Sequence, residues 1–130
     1  MIYVTSDLHG YPLEKFQELL RKADFSEKDC CFVLGDVIDR GPDGVELLKW
    51  MMDQNNVKFV LGNHEAMLLD CSFLFLADPE ENTDHLERKM RAFDLWVSNG
   101  GRETLNVLSR CDGETVAHIL QYLSEAPLYA

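Results

Sequence analysis

The residues of this chain whose types and spacing could do chemistry fall in three short motifs. They are Asp7-Leu8-His9-Gly10, Gly35-Asp36-Val37-Ile38-Asp39-Arg40-Gly41 and Gly62-Asn63-His64-Glu65. An Asp-x-His pair at a strand-to-loop transition sets a carboxylate and an imidazole on one side of an extended chain, so both can reach one cation. The second motif adds Asp36, able to bridge two metals, Asp39, able to orient a neighbour, and Arg40, whose guanidinium suits bidentate contact with phosphate. Its plainer alternative is a turn bearing an Asp/Arg surface pair. The third motif offers Asn63 as an amide ligand for a hard metal and His64 as a proton donor. It equally suits a helix N-terminus with Asn63 as cap and Glu65 in the first turn.

Each motif follows an apolar run. Ile2 to Thr5 reads as a strand, and after Pro12 the residues Leu13, Phe16, Leu19, Leu20 and Ala23 recur at helical spacing. Cys30 to Leu34 suits a strand buried on both faces, Val45 to Met52 a helix, and Val57 to Leu61 a third strand. Strands alternating with helices argue for parallel pairing through right-handed crossovers, which brings all three motifs to one edge of the sheet. Open α/β sheets bind ligands at that edge. Beyond Glu65 the pattern is helical: Met67 to Leu76 as a buried helix, a polar loop from Asp78 to Asp84, then His85 to Ser98, Glu103 to Ser109 and Glu114 to Ser124. Pro127 to Ala130 reads as the start of another strand.

The length of 130 residues and 46% hydrophobic content fit a single domain spanning 1-130. Twelve Lys and Arg against 23 Asp and Glu leave a net charge of -11, which disfavours a nucleic-acid partner. No apolar stretch is long enough to span a bilayer, and the start of the chain resembles no signal peptide. The four cysteines show neither disulfide nor zinc spacing. Free thiols fit a reducing cytoplasm, the expected location.

The three motifs in order, each after a strand, resemble the calcineurin-like metallophosphoesterases, specifically the serine/threonine phosphoprotein phosphatase branch and its small bacterial and phage members. The segment Trp96-Val97-Ser98-Asn99-Gly100-Gly101 adds to the likeness. The resemblance implies an α/β fold and two divalent metal ions, manganese first, with iron or zinc as alternatives. It implies that Asp7 and His9 hold the first metal, Asp36 bridges both and Asn63 ligates the second. His64 is then the general acid, Asp39 its positioner and Arg40 the phosphoryl grip, with a bridging hydroxide attacking phosphorus in line. The implied substrate is a phosphoprotein or phosphopeptide.

Two departures accompany the likeness. Ser6 stands where a glycine is usual, a change expected to matter little. The second sheet of the family, with its further histidines, is missing from this chain, which predicts under-coordinated metals, an uncovered sheet face and self-association. His85 and His118 are the remaining histidines, both in helical patterns. Two other readings stay open. In the related symmetrical dinucleoside tetraphosphate hydrolases the second motif usually lacks the carboxylate of Asp39 and the third usually ends in Asp. A non-catalytic phosphoprotein-binding relative would fit the missing half, but it needs no general acid.

Overall fold

The apolar runs before the motifs form one parallel sheet, β1 (Ile2–Thr5), β2 (Cys30–Val33) and β3 (Val57–Phe59), in the order β1-β2-β3. The computed structural model describes residues 1–76 and 85–128, so the expected loop from Asp78 to Asp84 and the residues Tyr129 and Ala130 lie outside the described residues. Register sorts the side chains into two faces. Tyr3, Cys31 and Val57 form one row, and Thr5, Val33 and Phe59 the next. These rows face the core: Cys31, Val33, Val57 and Phe59 are buried.

Helices α1 (Leu13–Lys22) and α2 (Gly44–Met52) make the two crossovers. Two right-handed crossovers stepping the same way across a sheet place both helices on the same face. The double-sided burial expected of the second strand is therefore not found. Ile2 and Val4 are 68% and 61% exposed on the other face, where Cys30 and Phe32 are half-buried and Lys58 is exposed. Helix α1 buries Phe16, with Leu13 and Leu20 half-buried beside it, while Leu19 turns out to solvent, one position off the face expected for it.

After β3 come α3 (Asn63–Asp70), a 3-10 turn (Ser72–Leu74), α4 (Leu86–Ser98), α5 (Gly101–Leu108) and α6 (Gly113–Glu125). The single buried helix expected from Met67 to Leu76 is corrected. Bonds from Cys71 N–H to Leu68, from Leu74 N–H to Cys71 and from Phe75 N–H to Ser72 tighten the chain after Asp70, and Leu74 is exposed. The core lies between the covered face of the sheet and these helices, centred on Leu47, Leu48, Met51, Leu68, Trp96, Leu108, Ile119 and Leu123. Leu61 N–H donates to the Pro127 carbonyl at 2.8 Å, so the chain runs back beside the end of β3. No helix among the described residues is long and apolar enough to cross a membrane.

Candidate active site

Past the ends of β1 and β2 the two motif loops remain bonded through their backbones. His9 N–H donates to the Asp36 carbonyl at 3.0 Å, Gly10 N–H to that of Val37 at 2.7 Å and Gly41 N–H to that of His9 at 3.0 Å. The loop of the second motif also caps two helices. Asp43 Oδ2 accepts the first N–H of α1, from Leu13, at 3.0 Å, and Asp36 Oδ1 accepts the His64 N–H in the first turn of α3 at 3.0 Å. At the third loop the fit is tightest where Gly35, at φ +78°, meets Gly62. A Cβ on Gly35 would lie 2.4 Å from the Gly62 Cα, so neither position has room for a side chain.

One ligand atom from each of Asp7, His9 and Asp36 lies within 4.8 Å of the others. The His9 Nδ1 is 3.0 Å from the Ile38 carbonyl oxygen, an acceptor, so Nδ1 carries the proton and Nε2 is left with its lone pair facing Asp7 Oδ1 at 3.7 Å. Ser6 is more than a small substitute: its hydroxyl donates to Asp7 Oδ2 at 2.9 Å and so steadies that carboxylate. An oxygen-and-nitrogen donor set with an orienting carbonyl behind its histidine fits a divalent cation. A cation there would also offset the like charges of Asp7 and Asp36. Asn63 begins α3 and is exposed beside this group. It is not the helix cap, which is Gly62.

The rings of His9 and His64 meet edge to face with centroids 4.6 Å apart. His64 Nδ1 lies 2.7 Å from Asp39 Oδ2, and the carboxylate accepts, so Nδ1 carries a proton and Nε2 lies on the opposite side of the ring. Asp39 is wholly buried and His64 is 7% exposed. Arg40 is exposed, its backbone N–H held by the Gly100 carbonyl at 3.0 Å. The structure therefore brings Asp7, His9, Asp36, Asp39 and His64 together, with Arg40 and Asn63 at the rim. His85 and His118 are exposed on other elements and are not among the group.

Three further residues shape the site beyond what their spacing conveyed. Glu65, expected only to cap a helix, is wholly buried. Oε1 accepts N–H groups from Asp36 at 2.7 Å and Gly62 at 3.0 Å, and Oε2 from Val37 at 2.9 Å and Ile38 at 3.4 Å. Burial pushes its carboxyl above the usual range while these backbone donors pull it back. Trp96 and Thr104 reach Asp39 from α4 and α5. For Glu65 the sequence offered only its place directly after Asn63-His64, which says nothing of burial. Thr104 had no signal, being a common residue 65 positions from its partner.

Residues 1–125 match the calcineurin-like phosphoesterase family. A symmetrical bis(5'-nucleosyl)-tetraphosphatase from Chromobacterium violaceum is 44% identical over 73 residues, 55% of this chain and 26% of that protein. One from Legionella pneumophila is 37% identical over 95 residues, covering 71% of this chain and 33% of the relative. The chain thus spans about a quarter to a third of the length of these relatives. Among solved structures, a candidate diadenosine tetraphosphatase superposes with a TM-score of 0.52 at 24% identity, over 97% of this chain and 42% of the other. A metallophosphoesterase from Sphaerobacter thermophilus gives 0.53 at 21%, over 97% and 40%. At such identities the two structures speak for a shared fold. The expectation raised by three motifs after three strands is met, and the chain belongs to the calcineurin-like phosphoesterases, a family of metal-dependent hydrolases.

Proposed function

We propose that this site hydrolyses phosphomonoesters, with serine or threonine phosphate in a protein or peptide as the substrate. The observation that carries the reading is the buried Asp39–His64 pair. An alkoxide is a poor leaving group, and a positioned proton donor is worth about 10² to 10⁴ in rate where one must depart. A nucleoside diphosphate leaves with far less help. The carboxylate of Asp39 thus has a use in phosphoserine cleavage that cleavage of a tetraphosphate would not require.

In this reading Asp7, His9 and Asp36 would hold one divalent cation, and Asp36 with Asn63 would hold a second, manganese being the first candidate. Cations bound there would activate water and neutralise phosphoryl charge. The chain's own residues do the rest. Arg40 at the rim receives phosphoryl oxygens, the His9 imidazole stays oriented by the Ile38 carbonyl, and His64, as an imidazolium with protons on both ring nitrogens, delivers the one on Nε2 while Asp39 keeps the bond to Nδ1–H.

A second reading, cleavage of dinucleoside tetraphosphates, is favoured by the names of the relatives matched over 73 and 95 residues. The test compares manganese-dependent release of phosphate from p-nitrophenyl phosphate and a phosphoserine peptide with cleavage of diadenosine tetraphosphate, using the 130-residue chain and its Asp36→Asn variant. The proposal expects peptide cleavage that Asp36→Asn abolishes and that His64→Gln lowers about 10² to 10⁴-fold. Preferential cleavage of the tetraphosphate, little affected by His64→Gln, would establish the second reading instead. No metal-dependent turnover of any of the three would mean that this chain positions phosphate-handling residues without being a catalyst.

A further inference from the structure

The Asp39 carboxylate is bonded on every side. Thr104 Oγ1 donates to Oδ1 at 2.7 Å, the Trp96 indole N–H lies 3.1 Å from Oδ1 and 2.9 Å from Oδ2, and His64 Nδ1 is 2.7 Å from Oδ2. The direction of the threonine hydroxyl is not free. It accepts the backbone N–H of Asp39 at 3.0 Å, so its one proton must point at Oδ1. Trp96 and Asp39 are wholly buried and Thr104 is 3% exposed, which leaves water little access to these bonds.

The two donors form one corner of the fold. Trp96 is near the end of α4 and Thr104 in the first turns of α5, and Gly101 between them packs on the indole. A Cβ at Gly101 would lie 2.5 Å from the Trp96 Nε1. One residue earlier, the Gly100 carbonyl holds the Arg40 N–H. Asp39 and Arg40 both have positive φ, 75° and 71°, so this backbone requires outside support. The α4–α5 corner supplies it.

We propose that Trp96 and Thr104 are positioning residues for His64: by occupying the Asp39 carboxylate they leave it one geometry in which to accept the Nδ1–H bond, and so fix the direction of Nε2 on the far side of the ring. This rests on the proposed function only for the use of Nε2. The geometric part is independent of any substrate. A tryptophan and a threonine that merely satisfied a buried carboxylate would leave the histidine indifferent to their loss. As positioners they govern it.

Nitrogen-15 NMR of the folded 130-residue chain, read with and without zinc, tests this directly. The wild type should show a proton fixed on His64 Nδ1, with that proton and the Trp96 indole N–H both slow to exchange. A ring without a proton on Nδ1, or one averaging between tautomers, would overturn the proposal without any variant. In Thr104→Val the His64 proton should exchange about tenfold faster, the factor expected for loss of one buried hydrogen bond. Thr104→Ser should restore it. A folded Thr104→Val with an unchanged ring would also refute the idea. Should that variant fail to fold, Trp96→Phe makes the same comparison, and the wild-type spectrum still decides.

Kinetics add a second readout. Loss of positioning should slow an alkyl phosphate more than p-nitrophenyl phosphate, whose leaving group needs little protonation, and should act on kcat rather than KM. Equal slowing of both would count against positioning. Absence of all turnover would count against the proposed function and leave the tautomer to judge this inference.

Discussion

Among the described residues, the non-glycine positions with positive φ are Asp7, His9, Asp24, Asp36, Asp39 and Arg40, and all but Asp24 belong to the candidate site. Such conformations cost about 1–3 kcal/mol each where nothing local relieves them, and a domain of this size has only about 5–15 kcal/mol in hand. Something must over-determine this backbone, and Glu65 is the strongest candidate, taking four N–H groups from the second and third motif loops. Glu65→Gln turns one acceptor atom into a donor facing donors. It should cost about 2–4 kcal/mol in urea unfolding, more than an ordinary hydrogen-bond deletion. A loss under about 1 kcal/mol would show that the loops hold themselves. The opposite behaviour is expected at Asp36, whose charge adds to that of Asp7. Manganese should raise the Tm of the wild type by the equivalent of about 2.7 kcal/mol at a hundred times its Kd, and Asp36→Asn should lose that rise while remaining folded without metal. An equal shift in both proteins would mean that the cation binds elsewhere.

At the scale of elements, helix α1 begins without a side-chain cap of its own, α3 has only Glu65 reaching back to the Gly62 N–H, and both receive carboxylates from the second motif loop. Asp43→Ala should therefore destabilise the chain by about 0.5–2 kcal/mol although Asp43 lies outside α1, as denaturant midpoints would show. Helix α6 is capped locally: Asp112 accepts the Thr115 N–H at 2.7 Å, and this bond holds its carboxyl below the usual value of 3.8. A carboxyl depressed on folding stabilises above its unfolded pKa and loses that contribution as pH falls through the folded value. Asp112→Asn keeps a capping oxygen without the titration, so it should flatten the acid side of the stability profile below pH 3.8 and leave neutral stability nearly unchanged. An unaltered acid limb would place the titration elsewhere, with Asp29 the next group to examine, held low by the Ser26 N–H and the N-terminal ammonium. These contacts also mark what could be read from the sequence. Apolar runs and their order revealed the strands and where the motifs meet, because periodicity and crossover handedness are local or topological. Caps reaching 28 and 30 residues, and Thr104 reaching 65, leave no local pattern to find.

For the molecule as a whole, the decisive asymmetry is that both crossovers cover one face of the sheet. Sequence periodicity could show that Cys30 to Val33 was apolar on both sides. It could not show which side would be left open. On the outer face Ile2 and Val4 are exposed beside the half-buried Phe32, and among the described residues β1 is an edge strand paired with β2 alone. We propose that this face drives association between copies of the 130-residue chain. Magnitudes limit how strong it can be. Burying an Ile and a Val returns about 1.5–3 kcal/mol each, close to the lower bound of about 4 kcal/mol that association costs. The association should be weak and reversible. A net charge of -11 opposes it, so screening should strengthen rather than weaken it, contrary to an interface built on ion pairs. Sedimentation velocity should show an average mass that rises with protein concentration and again with salt, and Val4→Lys should return it to monomer while circular dichroism stays unchanged. A monomer at every concentration and salt would mean that Lys58 and the acidic surface protect the open face by themselves.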